Sequence, residues 1–220
     1  MAAKKRRAFA APWLLLLALA FAASPSFAAD EPGAEHWAKT LADGKLRSEP
    51  RVEAARKLGE AKNGKYLEVL TEALSDSNKA IRWTAAEALW ELGDKRAVPA
   101  LIKYLEKGEA YEWGKVVTMN ALASFKEPEA VEPLIRVLQS QNPFLRRSAA
   151  VALFTIGDER AIAPLIGLLK DEHGFIQRIA QNFLVEMTKS KMTGDTPGDY
   201  QEWMKWFQSN SDHLKLNGKK

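Results

Sequence analysis

NKAIRWTAAEALWELGDKRAVPALIKYL, residues 78–105, returns 64 residues later as NPFLRRSAAVALFTIGDERAIAPLIGLL, residues 142–169, with 13 of 28 aligned positions identical. The identities include Arg82/Arg146, Ala85/Ala149, Leu89/Leu153, Gly93/Gly157 and Asp94/Asp158. Halfway between the copies, Ala121-Leu122 answers Ala88-Leu89 and Leu134-Ile135 answers Leu101-Ile102. The period is therefore about half of 64, which falls in the range of helical solenoids.

Each period reads as a helical hairpin. Ile81, Ala85, Ala88, Leu89 and Leu92 recur at spacings of three and four, which puts them on one helix face. Gly93 ends that helix because glycine takes the left-handed conformation at little steric cost, and Asp94 caps the helix beginning near Arg96. Val98, Leu101, Ile102 and Leu105 form the second stripe, with Pro99 in the first turn, where its missing N–H is not needed. Small residues, namely Ala85, Ala88, Ala121, Ala149, Ala152 and Ala180, let the backbones approach closely. A fully buried leucine contributes roughly 1.5–3 kcal/mol, yet one hairpin has too few to cover its own apolar face. Stability must come from stacked neighbours.

The register extends outward from the two best copies. Phe175-Ile176-Gln177-Arg178 repeats Phe144–Arg147, so a fifth first helix is expected near Gly174. Val52-Glu53-Ala54 and Leu58-Gly59 match Ala86-Glu87-Ala88 and Leu92-Gly93, which predicts a first unit with a longer turn over Glu60–Lys65 before Leu67, Leu70 and Leu74. Glu35–Leu41 and Asp199–Phe207 are expected as capping helices, with Trp203, Met204 and Phe207 covering the last hairpin. The expected organisation is a signal segment at 1–28, an N-terminal segment and cap at 29–48, the array at 49–188, and a C-terminal cap and tail at 189–220.

These patterns resemble the HEAT-repeat family, specifically the short HEAT-like repeats first recognised in phycobilin lyases. The carriers are Ile81-Arg82, Ala85–Leu89, Leu92-Gly93-Asp94, Ala97–Ile102 and their copies at Leu145–Ile166, and the resemblance covers roughly residues 50–188. It implies an all-α fold: a right-handed α-solenoid of about four to five HEAT-like helical hairpins with capping helices. It does not fix an activity, because such repeats serve in scaffolds, chaperones, lyases and metal hydroxylases.

The N-terminus reads as an export signal. Lys4, Lys5, Arg6 and Arg7 precede the 16-residue apolar run Ala8–Ala23, then Pro25 and the small-residue site Ser26-Phe27-Ala28, with cleavage expected after Ala28. The run is shorter than the roughly 20 residues that span a bilayer, so cleavage is favoured over a retained anchor. Arg6-Arg7-Ala8-Phe9 resembles the core of a twin-arginine signal, but the Leu14–Leu17 tetrad suits general secretion better. Either route leads to a periplasmic or extracellular protein.

Those four cations supply the whole formal charge of +4, because the remaining Lys and Arg equal the 28 Asp and Glu. A neutral mature chain gives no electrostatic reason to expect nucleic acid. The chain has no cysteine, which excludes disulfides, thiolate metal sites and a lipidated cysteine.

No catalytic constellation emerges. His36, His173 and His213 are scattered, and Glu35-His36 and Glu172-His173 reverse the His-Glu order that the metal-hydroxylase resemblance requires. There is no nucleophile elbow, and the glycines fall one per hairpin turn, without phosphate-loop spacing. No catalytic, metal or cofactor residue is assigned, and no cofactor is expected. Asp94 and Asp158, at equivalent positions, are read as caps that also bond Arg82- and Arg146-type side chains in a ladder.

The candidate partner-binding residues are Trp83, Lys103, Tyr111, Trp113, Arg136 and Lys170. Tyr111 and Trp113 sit in the connection Lys107–Gly114, where the spacing grows from 31 to 33 residues, and large aromatics in polar connections anchor partners. The alternative for Trp113 is a packing role shared with Phe144 and Phe175. Trp90, Trp203 and Trp206 are read as core or cap, whereas Trp83 aligns with Arg147 and Arg178 and so points to a partly exposed site. Lys103, Arg136 and Lys170 lie off the second-helix stripe, bordering the inner groove.

The sequence thus predicts an exported, non-enzymatic scaffold that binds another protein or peptide, without nucleic acid and without stable membrane insertion once the signal is cleaved. Two alternatives stand beside it: a lyase- or isomerase-like protein acting on a bilin or other cofactor, suggested only by the resemblance, and a membrane-tethered assembly factor.

Overall fold

In a computed structural model the described residues are 32–107, 112–188 and 200–211. The expected signal segment, Tyr111 and His213 lie outside them. The described residues form eleven α-helices: α1 (Pro32–Ala42), α2 (Ser48–Glu60), α3 (Leu67–Ala73), α4 (Lys79–Leu92), α5 (Val98–Glu106), α6 (Glu112–Phe125), α7 (Val131–Val137), α8 (Pro143–Ile156), α9 (Ile162–Gly167), α10 (Gly174–Thr188) and α11 (Tyr200–Asn210). They build a right-handed α-solenoid of four hairpins, α2/α3 to α8/α9, followed by the lone first helix α10. Helix α1 packs on α2 and α3 at one end, and α11 packs on α9 at the other.

Local chemistry sets the ends of each hairpin. Asn78 and Asn142 cap α4 and α8 by accepting the N–H groups of Ala80 and Phe144, both at 2.8 Å. The two helices end at Gly93 and Gly157, in the left-handed conformation with φ of 71° and 76°. Asp94 and Asp158 then accept the N–H groups of Arg96 and Arg160, opening one 3-10 turn that leads into α5 and α9.

The core is a pair of leucine columns. Leu58, Leu89, Leu122, Leu153 and Leu184 of the first helices, and Leu70, Leu101, Leu134 and Leu165 of the second, are completely buried. Ala54, Ala85, Ala88, Ala121, Ala149, Ala152 and Ala180 fill the spaces where helices cross. Each leucine stands 31 or 33 residues from the next, so every hairpin covers its neighbour's face.

The first unit corrects the expected register by three residues. Gly59 does not end α2; it is buried inside the helix, where an added Cβ would lie 2.7 Å from the Ala88 backbone. The left-handed residue is Lys62, φ 48°, and Asn63 then takes the part of Asp94 by accepting the Lys65 N–H. Lys62 therefore corresponds to Gly93, and the turn has the ordinary length.

Candidate functional site

Along one edge of the array, each first helix carries a cationic or polar residue at an equivalent position: Arg51, Arg82, Lys115, Arg146 and Gln177. The Arg82 guanidinium donates to the carbonyls of Asp76 and Ser77, that of Arg146 to Ser140 and Gln141, and the Gln177 amide to Asp171. Two rungs also end on a carboxylate in the turn that leads to the next hairpin. Arg51 reaches Asp76 at 2.6 Å, and Arg146 grips Asp171 with two bonds of 2.7 and 2.9 Å. The second pair is buried, with side chains 9% and 5% exposed.

This ladder differs from the expected one. Asp94 and Asp158 do cap, but their charged partners are Arg96 and Arg160, two residues on, rather than Arg82 and Arg146. Those local arginine bonds hold both carboxyls below the usual aspartate range. At Asp171 burial pushes the carboxyl up, but the bonds from Arg146 and the His173 N–H outweigh it, and the net direction is down.

The rung at the middle repeat lacks its carboxylate. Ser140 stands where Asp76 and Asp171 stand elsewhere; its hydroxyl accepts the Asn142 N–H at 3.2 Å, as those aspartates accept the N–H groups of Asn78 and His173. Here a cleft of about 390 Å³ opens, lined by Leu105, Glu106, Lys115, Pro133, Arg136, Val137, Gln139, Ser140 and Leu145. Sequence reasoning singled out Arg136 but missed Lys115 and Ser140. Their signal was available as departures: lysine in an arginine column and serine in an aspartate column.

The remaining candidates are dispersed. Arg136 pairs with Glu106 across the two second helices, and Lys103 is exposed on α5. The Lys170 ammonium lies 3.4 Å from the centre of the Tyr200 ring, so the C-terminal helix occupies it. Trp83 is half-buried against the core, and its indole Nε1 is buried with no hydrogen-bond partner among the described residues. Trp203 is fully buried and donates to Gln181 at 2.8 Å. Trp90, expected in the core, is 38% exposed, whereas its counterpart Phe154 stacks on Phe183 at 4.2 Å.

Trp113 does share a position with Phe144 and Phe175, but that position is on the surface. The three residues are 56%, 68% and 41% exposed, one in the first turn of each of three successive first helices. The packing role expected there falls to the next residue in the later repeats, Leu145 and Ile176, both buried. Among the described residues, no group of three or more His, Asp or Glu could hold a metal ion, and no helix is long and apolar enough to cross a membrane.

Stacked antiparallel hairpins with a shared leucine core and a polar ladder along one edge define an α-solenoid repeat protein. A family profile described as HEAT repeats matches residues 36–113 and 113–183, and the chain belongs to that family. Its fold is similar to that of the CpcE–CpcF complex of phycocyanin lyase from Nostoc sp. PCC7120, with 22% identity and a TM-score of 0.60 over 87% of this chain and 76% of that one. An engineered protein (20% identity, TM-score 0.52, 84% of this chain and 97% of that) and YibA of E. coli (19%, 0.53, 97% and 80%) share the fold as well. No curated protein matches the sequence.

Proposed function

We propose that this chain is an exported, non-enzymatic HEAT-repeat scaffold that holds another protein or peptide. The observation that carries this reading is the aromatic row Trp113, Phe144 and Phe175, exposed at one repeat position in three successive first helices. Large exposed aromatics aligned on a rigid surface bury much area at low entropic cost and are characteristic of protein interfaces. Export rests on the basic, apolar and small-residue order of Lys4 to Ala28. Mild cross-linking of the protein in its native exported fraction, followed by mass spectrometry, tests the proposal. One protein recovered in stoichiometric amount is the expected result; recovery of none overturns it. An intact mass beginning at Ala29 is expected, and a retained N-terminus would favour a membrane-tethered assembly factor instead.

The second reading, a lyase-like protein acting on a bilin or other cofactor, is favoured by the structural likeness to the CpcE–CpcF complex of phycocyanin lyase. At 22% identity that likeness extends to fold alone. New visible absorbance of the protein after incubation with a bilin would support it, whereas an unchanged spectrum and melting temperature would remove it.

A further inference from the structure

The cleft at the middle repeat coincides with the place where the edge ladder is incomplete. In the rungs on either side of the array's centre, the turn aspartate does two jobs with one side chain. Asp76 accepts the Asn78 N–H at 2.7 Å and the Arg51 guanidinium; Asp171 accepts the His173 N–H at 2.9 Å and the Arg146 guanidinium. Ser140 keeps the first job, since its hydroxyl accepts the Asn142 N–H. It cannot do the second, because a hydroxyl carries no negative charge.

Lys115 is the cation left over. It is half-buried at the arginine position of α6, lines the cleft together with Ser140, and has no carboxylate partner among the described residues. The charged groups lining the cleft with it are Arg136 and Glu106, and these pair with each other. Glu112, three residues earlier on α6, is exposed and makes no ion pair with Lys115. Among the described residues, the cleft therefore carries one positive charge with no carboxylate against it. Arg82, whose rung also lacks an aspartate because Lys107 stands in its place, opens no such site: two backbone carbonyls take its guanidinium.

Apolar side chains share the cleft wall with that charge. Leu105, Pro133, Val137 and Leu145 line the cleft, while exposed Trp113 lies two residues before Lys115 and exposed Phe144 directly before Leu145. A ligand matched to this surface has a carboxylate next to apolar groups, and an Asp or Glu flanked by large apolar residues in a polypeptide has that chemistry.

We propose that this cleft docks an acidic side chain of a partner polypeptide, whose carboxylate completes the rung that Ser140 leaves open beside Lys115. The partner's neighbouring apolar side chains then lie on Trp113 and Phe144. This deepens the scaffold reading and rests on it. A charge-assisted bond of this kind is stronger than a neutral one.

The test uses a capped Phe-Asp-Phe peptide, its Phe-Asn-Phe counterpart, and the 15N-labelled protein followed by NMR. The Asp peptide is expected to shift the amides of Lys115, Ser140 and Leu145 saturably, and the Asn peptide to bind about tenfold more weakly, the equivalent of one charge-assisted contact. Ser140→Asp rebuilds the rung from within; it should abolish peptide binding while raising the melting temperature, so that loss of binding cannot be attributed to unfolding. Lys45→Ala, which alters an exposed lysine outside the cleft, should bind as the unaltered protein does.

Equal binding of the Asp and Asn peptides, or undiminished binding by Ser140→Asp, would overturn the proposal. So would Lys115-dependent binding of phosphatidylglycerol vesicles in place of the peptide. The two readings separate cleanly. If a partner protein cross-links equally to the unaltered protein and to Ser140→Asp, the scaffold stands and this site falls. If the Asp peptide binds as described but no protein partner is recovered, the site stands and the scaffold falls.

Discussion

The phenol of Tyr104 fills the space that a side chain at residue 114 would need. A Cβ added to Gly114 would overlap the Tyr104 oxygen, and Tyr104 is itself 1% exposed. The positions equivalent to Gly114 hold Pro50, Ile81, Leu145 and Ile176, the last three buried, and the positions equivalent to Tyr104 hold Ala73, Val137 and Leu168. Across the junction between the α4/α5 and α6/α7 hairpins, α6 has exchanged large for small and α5 small for large. Burial pushes the phenol's pKa up, with the nearby Arg82 guanidinium opposing it. Gly114→Ala should therefore destabilise by about 1–3 kcal/mol, as overpacking does. Combining it with Tyr104→Leu should cost less than the sum of the two single changes. Urea melts of the three variants check this, and strict additivity would show that the two sites do not share the space.

Lys62 and Lys126 occupy the position of Gly93 and Gly157, and all four have left-handed backbone, the lysines with φ of 48° and 55°. A Cβ in that conformation costs roughly 1–2 kcal/mol. Lys62→Gly and Lys126→Gly should each recover part of it, offset by glycine's greater unfolded-state entropy, for a net gain of about 0.5–1 kcal/mol. A rise in the urea midpoint without a change in slope is the expected signature.

The same lysines explain where the sequence could and could not be read. The period, hairpins, caps and leucine columns were legible because Asn78, Gly93 and Asp94 recur unchanged as Asn142, Gly157 and Asp158. The first unit slipped by three because Lys62 gives no sign of a helix stop, while Gly59 imitates one and serves instead for close approach to Ala88. Ladder partners were misassigned because Arg146 and Asp171 are 25 residues apart in chain, and only the stacking brings them together. The surface position of Phe144 and Phe175 was hidden for another reason: a one-residue offset from the buried stripe at Leu145 and Ile176 is small beside the apolar character of both.

The Arg146–Asp171 pair should make stability depend on acid. Asp171 has a folded pKa below its ordinary value, so its contribution is fully present above the unfolded aspartate pKa, about 4, and is lost as pH falls through the lower folded value. Asp171→Asn should flatten the fall in melting temperature below that pH. Arg146→Ala should cost about 3 kcal/mol at neutral pH, the lower end for a buried pair, because it leaves Asp171 buried without its cation. An unchanged acid limb in Asp171→Asn would assign the acid sensitivity to other carboxylates.

Leu153 is fully buried in the first-helix column, so Leu153→Asp places a charge in the shared core with no partner and should unfold the array. Lys103→Ala, on the exposed side of α5, should leave the melt within about 0.5 kcal/mol. Circular dichroism distinguishes the two outcomes directly. Retained helicity and cooperative melting in Leu153→Asp would mean that the repeats do not share this core.

The aromatic row separates function from stability. Phe144 and Phe175 are 68% and 41% exposed, and the buried neighbours Leu145 and Ile176 hold their helices to the core. Replacing both phenylalanines by serine removes apolar surface that already faces water, so each change should alter stability by no more than about 0.5 kcal/mol. If a partner lies across the row, the same double variant should lose most of the cross-linked protein recovered with the unaltered chain, since truncating exposed interface anchors costs about 2 kcal/mol or more each. Undiminished recovery with an unchanged melt would move the interface away from the first-helix row, leaving the second helices around Lys103 and Arg136 as the next surface to alter.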